Sequence, residues 1–291
     1  MSIVEKAARR LRVGEDTHRL PPGRVKKQQD AKDFGSQPEP DTDQSELEID
    51  QVALQRNGLM PPPAMNYLIG REYQRIKRPL LDLISSHSSA SQRSNCLMVT
   101  SAKPHEGKSF TIFNLALSLA QEIDHSVLLV DADLRRPRLT RSLGLTARAG
   151  LADILTDDTA TLDQTVVRTS HPGLSILPAG HKCEQSSERL SSRRMRSLVG
   201  HLASDPHRIV LFDSAPLLYA AESQALAMHM GQVVFVIKAS STERRAVNAA
   251  LSLLDPSKVA ISLVLNQTRK GLGDDYESYY GIYGEDVERD A

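Results

Sequence analysis

The sequence predicts an α/β fold, with a mostly parallel β-sheet and helices on both faces. Three observations point to it. Short apolar runs alternate with helix-period segments along most of the chain, as strands do when crossover helices join them. A phosphate-cradling stretch, SAKPHEGKS at 101–109, separates an apolar run at 96–99 from a helical segment at 111–119. Two later apolar runs end in aspartate, and in an open parallel sheet ligands bind outside such strand ends.

Residues 2–13 read either as a short amphipathic helix, with Ile3, Ala7 and Leu11 on one side, or as a solvated end. Residues 14–60 carry proline, glutamine and charge with few apolar clusters. Their composition predicts a disordered linker that cannot offset the entropy of ordering. Pro61, Pro62 and Pro63 mark the entrance to a folded domain over 61–266. Within 66–85, Ile69, Tyr73, Ile76, Leu80 and Leu83 recur at spacings of four and three, one face of a helix. Glu72, Arg75 and Arg78 lie off that stripe, and by spacing alone they form a solvated face.

Downstream, the pattern predicts strands at 96–99, near Val127, and at 174–177, 209–212, 233–237 and 259–265. Helices are expected over 111–119, 151–155, 191–202, 222–228 and 243–254. Residues 267–291 show neither period, and form a tail that is flexible by composition.

The loop at 101–109 suits a polyphosphate. Gly107 lets the backbone turn its N–H groups inward at a helix N-terminus, Lys108 reaches the β- and γ-phosphates, and the Ser109 hydroxyl suits Mg²⁺. Ala102 stands where the usual pattern begins with glycine. The run ending in Asp131 continues through Asp133 and Arg135, and the run ending in Asp213 is followed by Pro216. One such aspartate is an ordinary turn residue. A lysine-bearing loop with two of them is a magnesium-nucleotide constellation, because Mg²⁺ prefers one or two carboxylates with water and phosphate oxygens.

Composition narrows the function classes. The 291 residues are 40% hydrophobic, enough for one large domain with tails. Lysine plus arginine and aspartate plus glutamate balance at 36 each, so overall charge gives no argument for a nucleic-acid partner. Cys96 and Cys183 match no metal-ligand spacing and fit a reduced, cytoplasmic compartment. No apolar stretch approaches the roughly 18 to 20 residues of a membrane span, so any membrane link is expected to be peripheral and through a partner.

Four of the seven tyrosines, Tyr276, Tyr279, Tyr280 and Tyr283, crowd the tail. Gly271, Gly273, Gly281 and Gly284 loosen it, and Asp274, Asp275, Glu277, Glu285 and Asp286 keep it hydrated. Such a tail is either an aromatic docking segment or, beside an Mg-nucleotide site, a set of phosphoacceptors.

The phosphate loop, VLLVDADLRRP at 127–137, IVLFDSAP at 209–216 and the tyrosine-rich end together resemble the bacterial tyrosine kinase family. Its Walker A, Walker A′, Walker B and tyrosine-cluster motifs correspond to these stretches. MSIVEKAARRL at 1–11, REYQRIKRPLL at 71–81 and HMGQVVFVI at 229–237 are similar, more narrowly, to the exosortase A-associated tyrosine autokinases of exopolysaccharide loci. The resemblance implies a P-loop NTPase fold, ATP and Mg²⁺ as cofactors, and a ring-like homo-oligomer in which one subunit phosphorylates its neighbour's tail. It also implies a membrane chain-length protein as activator, a cognate tyrosine phosphatase, and control of exopolysaccharide synthesis or export.

By the same resemblance, the nucleotide would contact Lys103, Pro104, His105, Glu106, Gly107, Lys108, Ser109, Phe110, Arg135 and, at the adenine, Asn266. Ser109, Asp131 and Asp213 would serve the metal. Lys108, Asp131, Asp133 and Asp213 would form the catalytic set, with Asp131 and Asp133 both candidates for accepting the tyrosine proton. Arg135 or Arg138 would neutralise phosphate charge, and Glu72, Arg75 and Arg78 match the family's E-x-x-R-x-x-R oligomerisation motif. A phenol of pKa near 10 is only about one part in a thousand ionised at neutral pH, so a nearby carboxylate is useful.

Two departures stand out. His105 occupies a position commonly glycine in the family, and a positive φ there would carry strain. Lys103 stands where partitioning ATPases of the MinD and ParA type carry a signature lysine, so a nucleotide-switch ATPase is the alternative, together with a weakly active scaffold that docks through its tail. Pro104 and His105 replace the paired glycines of such switches.

Overall fold

The computed structural model describes residues 46–86 and 93–268. The predicted N-terminal helix, the tyrosine tail beyond 268 and most of the predicted linker lie outside these residues.

Seven strands form one sheet: β1 (Cys96–Ser101), β2 (Ser126–Asp131), β3 (Val167–Arg168), β4 (Leu174–Leu177), β5 (Arg208–Asp213), β6 (Gln232–Lys238) and β7 (Ala260–Asn266), in the order β3-β4-β2-β5-β1-β6-β7. Every pairing is parallel except β3 with β4. This bears out the expected mostly parallel α/β sheet. The two-residue β3 has no sequence period to announce it, and just beyond it Thr169 forms an isolated bridge with Leu47 at the sheet's edge.

Alternate residues of each central strand feed two cores, as the period of two requires. On one face Met98, Val130, Phe212 and Phe235 pack with residues of α5 (Leu151–Thr156), α8 (Arg193–Ala203), α9 (Ala221–Ala227) and α10 (Arg244–Leu251). On the other, Leu97, Val99, Leu129, Leu211 and Val234 pack against α1 (Gln51–Arg56), α2 (Asn66–Ser85) and α3 (Lys108–Leu119). Short helices α4 (Arg138–Ser142), α6 (Leu162–Thr165) and α7 (Ser186–Ser191) fill the crossovers. Cys96 is a core residue, and burial pushes its thiol up to about 12.

α2 has the bounds the sequence predicts. Its packed face holds Tyr73, Leu80 and an unforeseen Lys77, whose ammonium donates to the Ser118 carbonyl at 2.9 Å and pairs with Glu122 at 2.6 Å. The hydrogen bond from Lys77 holds the Glu122 carboxyl below the usual carboxylate range.

One expectation fails. The end of the predicted linker, residues 46–60, is part of the fold: Asp50 caps α1 through Val52 N–H at 2.9 Å, and Leu54 and Leu59 are buried. Leu47, Ile49, Leu54 and Leu59 are too widely spaced for a composition average to register. Each nevertheless finds the second core, which supplies the burial that the segment lacks by itself.

Candidate active site

β5 lies between β1 and β2, so the loop after β1 and the aspartates ending β2 and β5 meet at one end of the sheet. Asp131 and Asp213 are direct partners in the parallel register. The loop enters α3 through Gly107 at φ 95°, a left-handed conformation, and an added Cβ would lie 1.9 Å from the Asn266 amide nitrogen. His105 also has a positive φ, 64°, as its departure from glycine foreshadowed.

Glu106 holds the loop. Its carboxylate is buried, accepts the Lys103 N–H at 2.8 Å and bonds the Thr242 hydroxyl. Asn266 donates its side-chain amide to the Glu106 carbonyl at 2.9 Å. The lysine of the partitioning-ATPase comparison, Lys103, lies 3.9 Å from Glu243 of its own chain.

The Ser109 hydroxyl donates to Asp213 Oδ2 at 2.9 Å, while the buried Asp213 Oδ1 has no hydrogen-bond partner. An acceptor left without a partner under full burial is costly, and a divalent cation satisfies it. The serine and aspartate therefore fit Mg²⁺. Burial, opposed by Lys108 and the Ser109 bond, pushes Asp213 up to about 6. Burial also draws the Lys108 ammonium below its ordinary range, against the pull of Asp213, Asp133 and Glu106.

Asp131 differs. Its Oδ2 accepts both the backbone N–H and the hydroxyl of Thr140, each at 2.8 Å, and its Oδ1 accepts the Asp133 N–H at 3.3 Å. Burial and the neighbouring Asp213 push it up to about 8 despite those bonds. Thr140 is further fixed by accepting the Ala179 N–H at 2.9 Å. Asp133, by contrast, faces a cleft of about 1120 Å³ that it lines with Lys108, Ser109 and Asn266. Burial raises its pKa as well.

Arg135 is not among the residues that line the cleft. It is two-thirds exposed and turns to Glu222 at 3.6 Å, where Glu222 is held by the Ser186 hydroxyl. Arg138 lines the cleft instead, and its charge lowers the pKa of both Lys108 and Asp213. Pro104, His105 and Phe110 also line the cleft. So do Asn57 and Gly58, from the segment expected to be linker.

Glu72, Arg75 and Arg78 project from the solvent side of α2, with Glu72 and Arg75 paired at 3.5 Å. The sequence reading missed Thr140, Thr242 and Arg141. A lone threonine carries no spacing signal, but the arginine run around Arg138 was visible.

No family model matches the sequence. Tyrosine-protein kinase YwqD of Bacillus subtilis is 31% identical over 233 residues, covering 79% of this chain and 92% of YwqD. The chain belongs to the bacterial tyrosine kinase family. Succinoglycan biosynthesis transport protein ExoP of Rhizobium meliloti is 33% identical over 62% of the chain, which spans only 23% of ExoP. Among solved structures, the VpsO kinase domain is 28% identical, with a TM-score of 0.59, covering 72% of this chain and 100% of that one. Among the described residues, no helix is long and apolar enough to cross a membrane.

Proposed function

We propose that the chain is an ATP-dependent protein tyrosine autokinase that phosphorylates the C-terminal cluster Tyr276, Tyr279, Tyr280 and Tyr283 between subunits of a ring-like homo-oligomer. The observation that carries this reading is the Ser109–Asp213 contact beside an unpartnered carboxylate oxygen, at the mouth of a lysine-bearing phosphate loop.

When bound, Mg²⁺ neutralises phosphate charge and is served by Ser109 and Asp213. The chain's own residues do the rest. The N–H groups of the loop and Lys108 hold the β- and γ-phosphates in line, and positioning of this kind supplies most of the catalysis in phosphoryl transfer. Arg138, one of the two arginines expected to neutralise phosphate charge, adds the second cation at the cleft wall. The tyrosine oxygen bonds to the γ-phosphorus as the bond to the β-phosphate oxygen breaks, ADP leaves, and the phenolic proton passes to Asp133. A carboxylate made more basic by burial accepts that proton better. Asp131, sealed by Thr140, fixes the backbone that carries Asp133. Asn266 closes the loop at the adenine side.

Names among the relatives, ExoP above all, support a place in exopolysaccharide synthesis or export. We extend this to a membrane chain-length protein as activator, a cognate phosphatase, and a cytoplasmic kinase held at the membrane through its partner. A Lys108→Met chain mixed with one whose four tail tyrosines are phenylalanine tests transfer between subunits. Phosphate on the Lys108→Met chain is expected. Absence of label under conditions where the two chains co-assemble contradicts it.

A further inference from the structure

Between Asp133 and Asp153 the sequence contains five arginines and no acidic residue, and four of the five fall within 135–141. Arg135 is taken up by Glu222. Arg136, Arg138 and Arg141 line the active-site cleft, are exposed, and have no ion-pair partner within 4 Å among the described residues. Arg141, which lines the cleft, is steadied by its Nε donating to the Pro137 carbonyl at 3.2 Å. Arg138 and Arg141 are three apart on α4 and so share a face. The cleft's charged lining is Lys108 and these three arginines against Glu72 and Asp133, and Glu72 is paired with Arg75.

One wall of the cleft is thus cationic beyond what Lys108 and Arg138 need for phosphate. The segment 274–286 carries five carboxylates, four tyrosines and no basic residue. It follows Thr268, which itself lines the cleft.

We infer that Arg136 and Arg141 form a substrate-docking subsite that receives the acidic tyrosine segment 274–286 of a second copy of this chain, pairing with its carboxylates to bring a phenol to Asp133. This deepens the autokinase reading and rests on it for the chemistry, but not for the binding. Arginine suits the task because its planar fork grips carboxylates in pairs and stays charged. Charge pairing of this kind also steers encounter and weakens with salt. The subsite selects tyrosines flanked by aspartate and glutamate over tyrosines in neutral sequence.

The test uses the full chain carrying Arg136→Glu and Arg141→Glu. In one arm, a fluorescent peptide of residues 270–290 is titrated with the protein. In the other, chains with all four tail tyrosines replaced by phenylalanine phosphorylate Lys108→Met acceptor chains at increasing concentration. Peptide Kd and acceptor KM should each rise about tenfold or more, with the affinity for a fluorescent ATP analogue unchanged. An acceptor with Asp274→Lys, Asp275→Lys and Glu277→Lys should recover most of the lost KM on the doubly reversed enzyme.

Unchanged Kd and KM overturn the inference. So does an equal loss of nucleotide affinity, which would return the arginines to phosphate binding, or a KM loss that the charge swap leaves untouched. If the peptide binds and the reversed chain releases it, yet wild-type arginines transfer no phosphate, the kinase reading fails and the docking subsite stands.

Discussion

Asp213 and Asp131 end adjacent parallel strands, face each other in register and look alike in sequence, each closing an apolar run. Their surroundings divide them. Asp213 is joined to Ser109 at 2.9 Å and keeps one buried oxygen without a partner, whereas Asp131 is bonded twice by Thr140 and once by Asp133 N–H. One aspartate keeps an acceptor oxygen open and the other anchors a turn. The difference lies in a threonine nine residues downstream, so a strand-end carboxylate acquires its role from the donors that the fold brings to it.

The largest effect expected from breaking this contrast is at Asp213. Asp213→Asn should lower autophosphorylation by about a thousandfold or more, because it weakens charge stabilisation of the transferring phosphate. Its melting temperature in the absence of Mg²⁺ should hold or rise, since a buried charge is removed. Asp131→Asn should cost only about ten- to a hundredfold, acting through a displaced Asp133. Label incorporation and calorimetry on the two variants side by side check both.

Next in size is Thr140→Val. Asp131 keeps the backbone N–H of residue 140 but loses the hydroxyl, and Ala179 N–H loses its acceptor, so stability should fall by about 1–3 kcal/mol. Chemical denaturation measures it, and a change under half a kilocalorie would mean that the threonine clamp contributes little.

The pH dependence sharpens the contrast further. Asp131 and Asp213 are raised in the folded state, to about 8 and about 6, from an ordinary 3.8. Groups raised on folding contribute stability that is full below the unfolded pKa and is lost as pH rises through the folded values. Without Mg²⁺, stability should therefore decline between about pH 4 and 8, and Asp213→Asn should flatten part of that slope. Asp153 runs the other way: burial raises it, but hydrogen bonds from Gly150 and His181 outweigh that and hold it low. Its contribution is present above the unfolded pKa and is lost as acid takes the pH down through the folded value.

The smallest structural effect is expected at α2. Glu72, Arg75 and Arg78 are solvent-facing, so changing all three to alanine should leave the fold intact and shift the mass toward monomer in light scattering. An unmoved mass would leave these residues as a solvated face.

Much of this was legible in the sequence, and for physical reasons. The continuous apolar runs of the central strands and the stripe of α2 reflect burial, which writes itself into hydrophobicity, and Gly107 reflects a backbone that tolerates no Cβ. The convergence of Lys108, Ser109 and Asp213 followed from strand ends alone. What escaped depends on partners distant in the chain. Leu54 and Leu59 fold only because a core formed by later residues receives them. Lys77 is buried because Ser118 and Glu122 await it. Arg135 and Arg138 are equivalent as letters, and only Glu222 decides which of them turns away from the cleft.

The most direct test of the account is phosphate mapping by mass spectrometry on three purified chains incubated with Mg-ATP: wild type, Asp131→Asn and Asp213→Asn. The account predicts phosphate on Tyr276, Tyr279, Tyr280 or Tyr283 in the wild type, reduced but detectable label at the same tyrosines in Asp131→Asn, and none in Asp213→Asn. Label outside the tail, or equal labelling of the two variants, would contradict it.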